Sequence, residues 1–255
     1  MSAPSPASSR PSAGEPQVVC AVCGTASHQP PFRPSPPEQA PDLDLRPGEP
    51  VRGTMRWWLQ QCPRCGYAAP SIAKAHPAAA QAVGAAPFRA LLADSSYPPL
   101  GRRFLAWAHV LEETGALHAA AEATLQAAWV ADDLNRPDLA RPWRLEAVAL
   151  WRAGPALDAE QTVRVVDALR RAGAHDDARA TAEALQRAEP VEAVAQVLAL
   201  ELRLIEAGDE GRHTVASALP PPARRPHVTH QRLPGRTADP GGGLLGRLRR
   251  LFRRG

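Results

Sequence analysis

With 255 residues, 44% of them hydrophobic, the chain is long enough for one large domain or for a small one beside a larger one. No run of eighteen apolar residues occurs, which excludes a membrane-spanning helix. The net charge of +4 is unevenly placed: from Arg212 onward ten arginines face one acid, Asp239, while the preceding body carries twenty cations against twenty-five acids. An acidic body with a basic tail directs any anionic partner to the tail.

Of the 28 prolines, 18 cluster in residues 1–16, 30–50 and 219–240. Such stretches bury too little apolar surface to offset their ordering entropy, and they read as tail, loop and linker. Residues 1–16 are expected to be a disordered tail. They lack an apolar stretch, so no secretory signal is expected and the cytosol is the expected location. There, paired cysteines are more often metal ligands than disulfides.

All four cysteines sit in two matched pairs. Cys20-Ala21-Val22-Cys23-Gly24 follows the strand-like run Gln17-Val18-Val19, and Cys62-Pro63-Arg64-Cys65-Gly66 follows the strand-like run from Met55 to Gln60. A two-residue gap lets the chain turn so that both sulfurs face one cation. The trailing glycine lets the chain leave the turn at positive φ. Cys20, Cys23, Cys62 and Cys65 are therefore the expected ligands of one tetrahedral Cys₄ site, with zinc the expected ion. Iron in a rubredoxin-like site uses the same ligands and is the rival. The 38 residues between Cys23 and Cys62 exceed the roughly 15–20 of the commoner ribbon spacing. A loop over residues 30–50, extruded from the hairpin, accounts for the excess, because closure entropy rises only slowly with length. Residues 17–70 thus read as a zinc-ribbon-like domain. Trp57 and Trp58, adjacent in a strand, face opposite sides.

From residue 71 the composition turns to alanine, leucine and arginine, as helices favour. Residues 71–99 are ambiguous, with a turn or two of helix over 78–83 interrupted by prolines. Apolar periodicity and Gly or Pro punctuation then predict six helices, over 102–113, 116–133, 138–151, 158–172, 175–188 and 191–206. Short connections imply antiparallel neighbours. Gly115, Leu117, Ala120 and Ala127, and again Gly173, His175, Ala178 and Pro190, echo the tetratricopeptide pattern, although the spacing is irregular. The fold expected is mainly α, a small zinc-ribbon-like β element followed by an antiparallel tetratricopeptide-like array over 71–211. Trp107, Trp129, Trp143 and Trp151 are expected in its core. His109, His118 and His175 lie on helices without an identifiable catalytic partner set, and no enzymatic role is expected.

Residues 212–243 read as a Pro/Gly-rich linker and 244–255 as a basic amphipathic tail. On a helix, Leu244, Leu245, Leu248, Leu251 and Phe252 share one face and arginines up to Arg254 fill the other. That pattern suits an anionic membrane surface, and a peripheral place at the inner membrane surface goes with it.

The paired Cys20-Ala21-Val22-Cys23-Gly24 and Cys62-Pro63-Arg64-Cys65-Gly66-Tyr67-Ala68 motifs resemble those of an uncharacterised bacterial family, a domain-of-unknown-function group. Its members join an early C-x-x-C-G to a later C-P-x-C-G-Y-A, with a tetratricopeptide-like helical region commonly following. Ala21 stands where a proline is common in that family. The resemblance spans Gln17 to about Asp133 and implies architecture, a metal site and a bacterial origin, with no activity to carry over.

The leading functional expectation is an interaction protein whose helical body binds a protein or peptide. A rubredoxin-like electron carrier is the first alternative. Nucleic-acid binding ranks lower, because the ribbon's Arg52, Arg56 and Arg64 are opposed in sequence by Asp42, Asp44 and Glu49. A hydrolytic zinc ranks last, since four thiolates leave no open position for water.

Overall fold

The computed structural model describes residues 17–30, 32–33 and 35–219. The expected tail at 1–16, the linker from 220 to 243 and the basic segment at 244–255 lie outside the described residues.

The architecture is mainly α, with two small antiparallel strand pairs at the N-terminal end. Strand β1 (Gln17–Val19) pairs with β2 (Ala26–His28), Gln17 opposite His28. Strand β3 (Gln60–Gln61) pairs with β4 (Ala68–Ala69). Each hairpin closes around one cysteine pair. The expected strand from Met55 to Gln60 is instead a 3₁₀-helix over Arg52–Trp57, and only its end, at Gln60, is strand. The physical reason is that this segment has no alternation to bury. Met55, within the 3₁₀-helix, and Leu59, just after it, are its buried residues and both enter the helical core. Trp57 and Trp58 accordingly do not lie across a strand. Trp58 packs edge-on to Phe104 and donates to Thr54 Oγ1 at 2.9 Å, while Trp57 carries the Arg56 guanidinium over its ring.

The ambiguous stretch holds two short helices, α1 (Ala79–Gly84) and α2 (Ala86–Ala93). The six expected helices follow within a few residues of their expected limits: α3 (Pro99–Glu112), α4 (Leu117–Asp133), α5 (Pro137–Ala153), α6 (Ala159–Arg171), α7 (His175–Arg187) and α8 (Glu192–Glu206). Each packs on its sequence neighbour, and α8 also returns to α6. Four of them end in one kind of turn. Gly115, Asn135, Gly173 and Gly208 adopt positive φ, and the next amide reaches back five residues to a helix carbonyl, as Ala174 does to Leu169 at 2.9 Å. Helix α6 opens with a reciprocal capping box between Asp158 and Gln161. Trp129, Trp143 and Trp151 are buried, and Trp107 is half-buried against the same core.

The expected extruded loop is only partly a loop. Asp42, Leu43, Asp44 and Arg46 are buried, with Leu43 packed in the helical core. A tight turn brings this about: Asp42 N–H donates to Arg46 O, and Leu45 N–H donates to Asp42 O, with Leu45 at φ 61°. Residues just after α8 strap the turn down, since Leu43 N–H donates to His213 O and Val215 N–H donates to Pro41 O. Residues 212–219, expected to open the linker, therefore take part in the fold and include a final turn of helix, α9 (Val215–Ala218). The segment is held because its charges find buried partners. Asp44 accepts from Trp129 Nε1 at 2.7 Å and from Arg171 at 3.2 Å, and Arg46 donates to Trp129 O and pairs with Asp133.

Buried ion pairs run on through the array. Asp132 links Arg144 and Arg171. Deeper in, Arg170 is enclosed by Asp167, Glu201 and the carbonyls of Asp209 and Gly211. One guanidinium thus serves two buried carboxylates. Burial, and then Asp167, push the Glu201 carboxyl well above the usual carboxylate range. An acid whose folded pKa is raised contributes stability that is fully present below its unfolded value of about 4.3 and is lost as pH rises from there through the folded value. Glu201→Gln keeps an acceptor for Arg170 and removes the disfavoured charge. We expect the variant to be less stable than the parent at pH 5 by no more than about 1 kcal/mol, and at least as stable at pH 9. Thermal unfolding at the two pH values reads this out, and equal losses at both would contradict it.

Candidate metal centre

The two cysteine turns repeat one backbone pattern. Cys20 N–H donates to Thr25 O at 2.9 Å and Gly24 N–H donates to Cys20 O at 2.8 Å. In the second turn Cys62 N–H donates to Tyr67 O at 2.9 Å and Gly66 N–H donates to Cys62 O at 3.0 Å. Both glycines hold positive φ, 73° at Gly24 and 76° at Gly66. These turns fold each pair of thiols toward the same point.

The four sulfurs all lie within 4.8 Å of one another. Cys20 Sγ is 3.8 Å from Cys65 Sγ, and Cys23 Sγ is 3.5 Å from Cys62 Sγ, so each contact joins one turn to the other. All four are free thiols. A tetrahedral ion with metal–sulfur bonds of about 2.3 Å sets its sulfurs about 3.8 Å apart. The donor set and its spacing therefore fit a metal ion, held by Cys20, Cys23, Cys62 and Cys65. Such an ion supplies a cross-link between the two hairpins. Thr25, through its hydroxyl and then its amide, brings the Cys23 thiol down to about 6, while burial pushes the Cys20 and Cys65 thiols up. Four ionised thiolates at one point need a cation to compensate them.

The surroundings are built around this cluster. Cys20 and Cys62 are buried, and they share an apolar cluster with Tyr67, Ile72, Phe88 of α2, and Ala106 and Val110 of α3. The Ile72 peptide joins the two turns: its carbonyl accepts from Ala21 N–H at 2.8 Å, and its N–H donates to Gln60 Oε1 at 3.1 Å. Tyr67, fully buried, donates its hydroxyl to Lys74 O and accepts from His76 N–H, which pins residues 71–76 over the site. Sequence reasoning found all four sulfurs and missed these supports. Tyr67, directly after Gly66, was visible only as part of the motif. The return strands β2 and β4 are too short to show alternation. None of the three helical histidines joins the four sulfurs: His118 sits against Pro155 O and Gln161, His175 lies near Gly208, and His109, near Glu113, packs its ring on Phe88 of the apolar shell.

The two knuckle glycines differ in what surrounds them. A Cβ at Gly24 meets open space, whereas one at Gly66 collides with Leu92 of α2. Gly24→Ala is expected to cost about 1–2 kcal/mol through its positive φ alone. Gly66→Ala must in addition displace the half-buried Leu92 side chain and is expected to cost about 1 kcal/mol more than Gly24→Ala. Thermal unfolding of the two metal-loaded variants compares them, and equal costs would show that the second knuckle does not bear on α2 as described.

Among the described residues, no helix is long and apolar enough to cross a membrane. No family model matches the chain, and neither a curated protein nor a solved structure matches it.

Proposed function

We propose that the chain is a zinc-stabilised, non-catalytic interaction scaffold, in which one structural zinc ion fixes the N-terminal lobe and the tetratricopeptide-like array presents a surface to a protein or peptide. The observation that carries this reading is the closed donor set: four cysteine sulfurs, two of them fully buried, converge on one point. Four thiolates complete a tetrahedral ion and leave no position for a reacting water, which is the arrangement of structural rather than catalytic zinc. The packing of that cluster onto α2 and α3 supports a role in holding lobe and helices together. The order of elements, knuckle pair then helical array, supports placing the chain with the bacterial family that its motifs resemble.

Metal identity tests the reading. Protein purified without added metal or a histidine tag is expected to carry one equivalent of zinc by elemental mass spectrometry and to be colourless. One equivalent of iron with a visible charge-transfer band would overturn the structural-zinc reading in favour of an electron carrier.

A further inference from the structure

Beside the second knuckle, between the 3₁₀-turn and the start of α3, lies an open groove of about 820 Å³. Arg56 and Arg64 reach its wall from the metal lobe, Arg102 and Arg103 reach it from α3, and among the described residues no carboxylate lines it. A second hollow, of about 400 Å³, shares Trp57 with the first and adds Phe32, Arg33 and Thr54, again without an acid among the described residues. This departs from the rest of the protein. Ten of the nineteen arginines among the described residues are in ion pairs. Arg33, Arg56, Arg64, Arg102 and Arg103, all lining these hollows, are in none of those pairs.

Folding creates this imbalance. In sequence the lobe's arginines are opposed by Asp42 and Asp44, but those two acids are buried in the clasp with Arg52 and Arg171. Helix α3 meanwhile delivers two further arginines. Arg103 is held against the lobe by donating to Arg56 O and Leu59 O, and its Nε is buried without a partner. Arg102 donates to the Asp94 carbonyl, and the Asp94 carboxylate beside it is engaged by Ser96.

The aromatic groups narrow the class of ligand. Trp57 is half-buried between the two hollows, and the Arg56 guanidinium lies over its ring at 4.0 Å. A polyanion needs only the arginines. Flat indole and guanidinium faces set among them suit unpaired bases, which stack on such planes while their phosphates meet the cations. An acidic peptide meets those faces only where it carries aromatic side chains, whereas every unpaired base has a π-face to offer, and a duplex keeps its bases stacked on one another. We propose that this Trp57-centred groove binds single-stranded nucleic acid, with phosphates on the arginines and bases on Trp57 and Phe32. The inference does not depend on which metal the cysteines hold.

The test is fluorescence anisotropy with the full chain and labelled oligo(dT) and oligo(rU) of about 12 nucleotides, between about 50 and 200 mM salt. Far-UV circular dichroism and metal content check each variant. Trp57→Ala is expected to weaken binding about ten-fold or more, with Trp57→Phe recovering most of it. Arg64→Gln with Arg102→Gln is expected to lower the slope of log affinity against log salt by about 1.4, near 0.7 for each lost phosphate contact. The slope reads the groove even where Trp57→Ala fails to fold. A preference for oligo(rU) over oligo(dT), or the reverse, would assign the natural strand. Three results would overturn the proposal: no binding at the lowest salt, binding unchanged by the groove variants and so due to the arginines beyond residue 219, or poly-glutamate binding as tightly.

Discussion

Cys62→Ser is expected to release the metal and open the N-terminal lobe while leaving the helices beyond α3 folded. Cys62 is buried, its sulfur touches that of Cys23, and its amide closes the second turn on Tyr67. With one thiolate gone the remaining three would hold an ion poorly, and the two hairpins, of two or three residues per strand, would be left with a few hydrogen bonds such as Gln29 to Gln61 O and those through Ile72. The amides of β1 to β4 and of residues 71–76 should then exchange at least about a hundred-fold faster, a loss of roughly 3 kcal/mol in local stability. Those of α4 to α8 should be little changed. Hydrogen exchange followed by mass spectrometry resolves the two regions. Retained protection in the lobe would show that its apolar packing against α2 and α3 suffices without metal.

Asp44→Ala is expected to be the costliest single change in the helical body, at about 3–5 kcal/mol. The carboxylate is fully buried and serves Trp129 Nε1, Arg171 and the Arg46 amide, so its removal strands an indole donor and leaves the buried Arg171 with Asp132 alone. It also releases the turn at 42–46 from the body. Burial pushes the Asp44 carboxyl up, but the Arg171 and Arg144 guanidinium groups outweigh it and the net shift is down. An acid with a depressed folded pKa contributes stability above its unfolded value of about 3.9 and loses it as pH falls through the lower, folded value. The parent should therefore lose part of its stability on acidification below about pH 4, a part that Asp44→Asn lacks. Denaturant unfolding at pH 7 and pH 3 measures both effects. A cost under about 1 kcal/mol for Asp44→Ala would mean that the segment is a surface loop after all.

What the sequence disclosed and what it hid follow from different kinds of interaction. The cysteine turns were legible because ligation demands a fixed local spacing, and positive φ demands glycine at 24 and 66. The six longer helices were legible because glycine, proline and apolar periodicity mark both their faces and their ends. Proline at 98 and 99 looked like a break, yet Pro99 is the first residue of α3, where its missing N–H costs nothing. The clasp at 42–46 was hidden because its stabilisation comes from Trp129 and Arg171, 85 and 127 residues from Asp44. A trace was available: Asp42 to Arg46 is a proline-free island, alternating acid and leucine, between Pro41 and Pro47. Asp167, Arg170 and Glu201 are brought together only by the packing of α6 against α8. The basic groove was hidden for the same reason, since its arginines come from the lobe and from α3 and are set free by burying Asp42 and Asp44 elsewhere.

The central claim, four thiolates on one structural ion, is tested most directly by counting reactive thiols in the native protein before and after a strong chelator, with metal release followed in the same sample. The account predicts that the cysteines stay unreactive until chelation, then titrate as four while one metal ion appears in solution. Four thiols that react at once, in a folded protein that yields no metal, would contradict it.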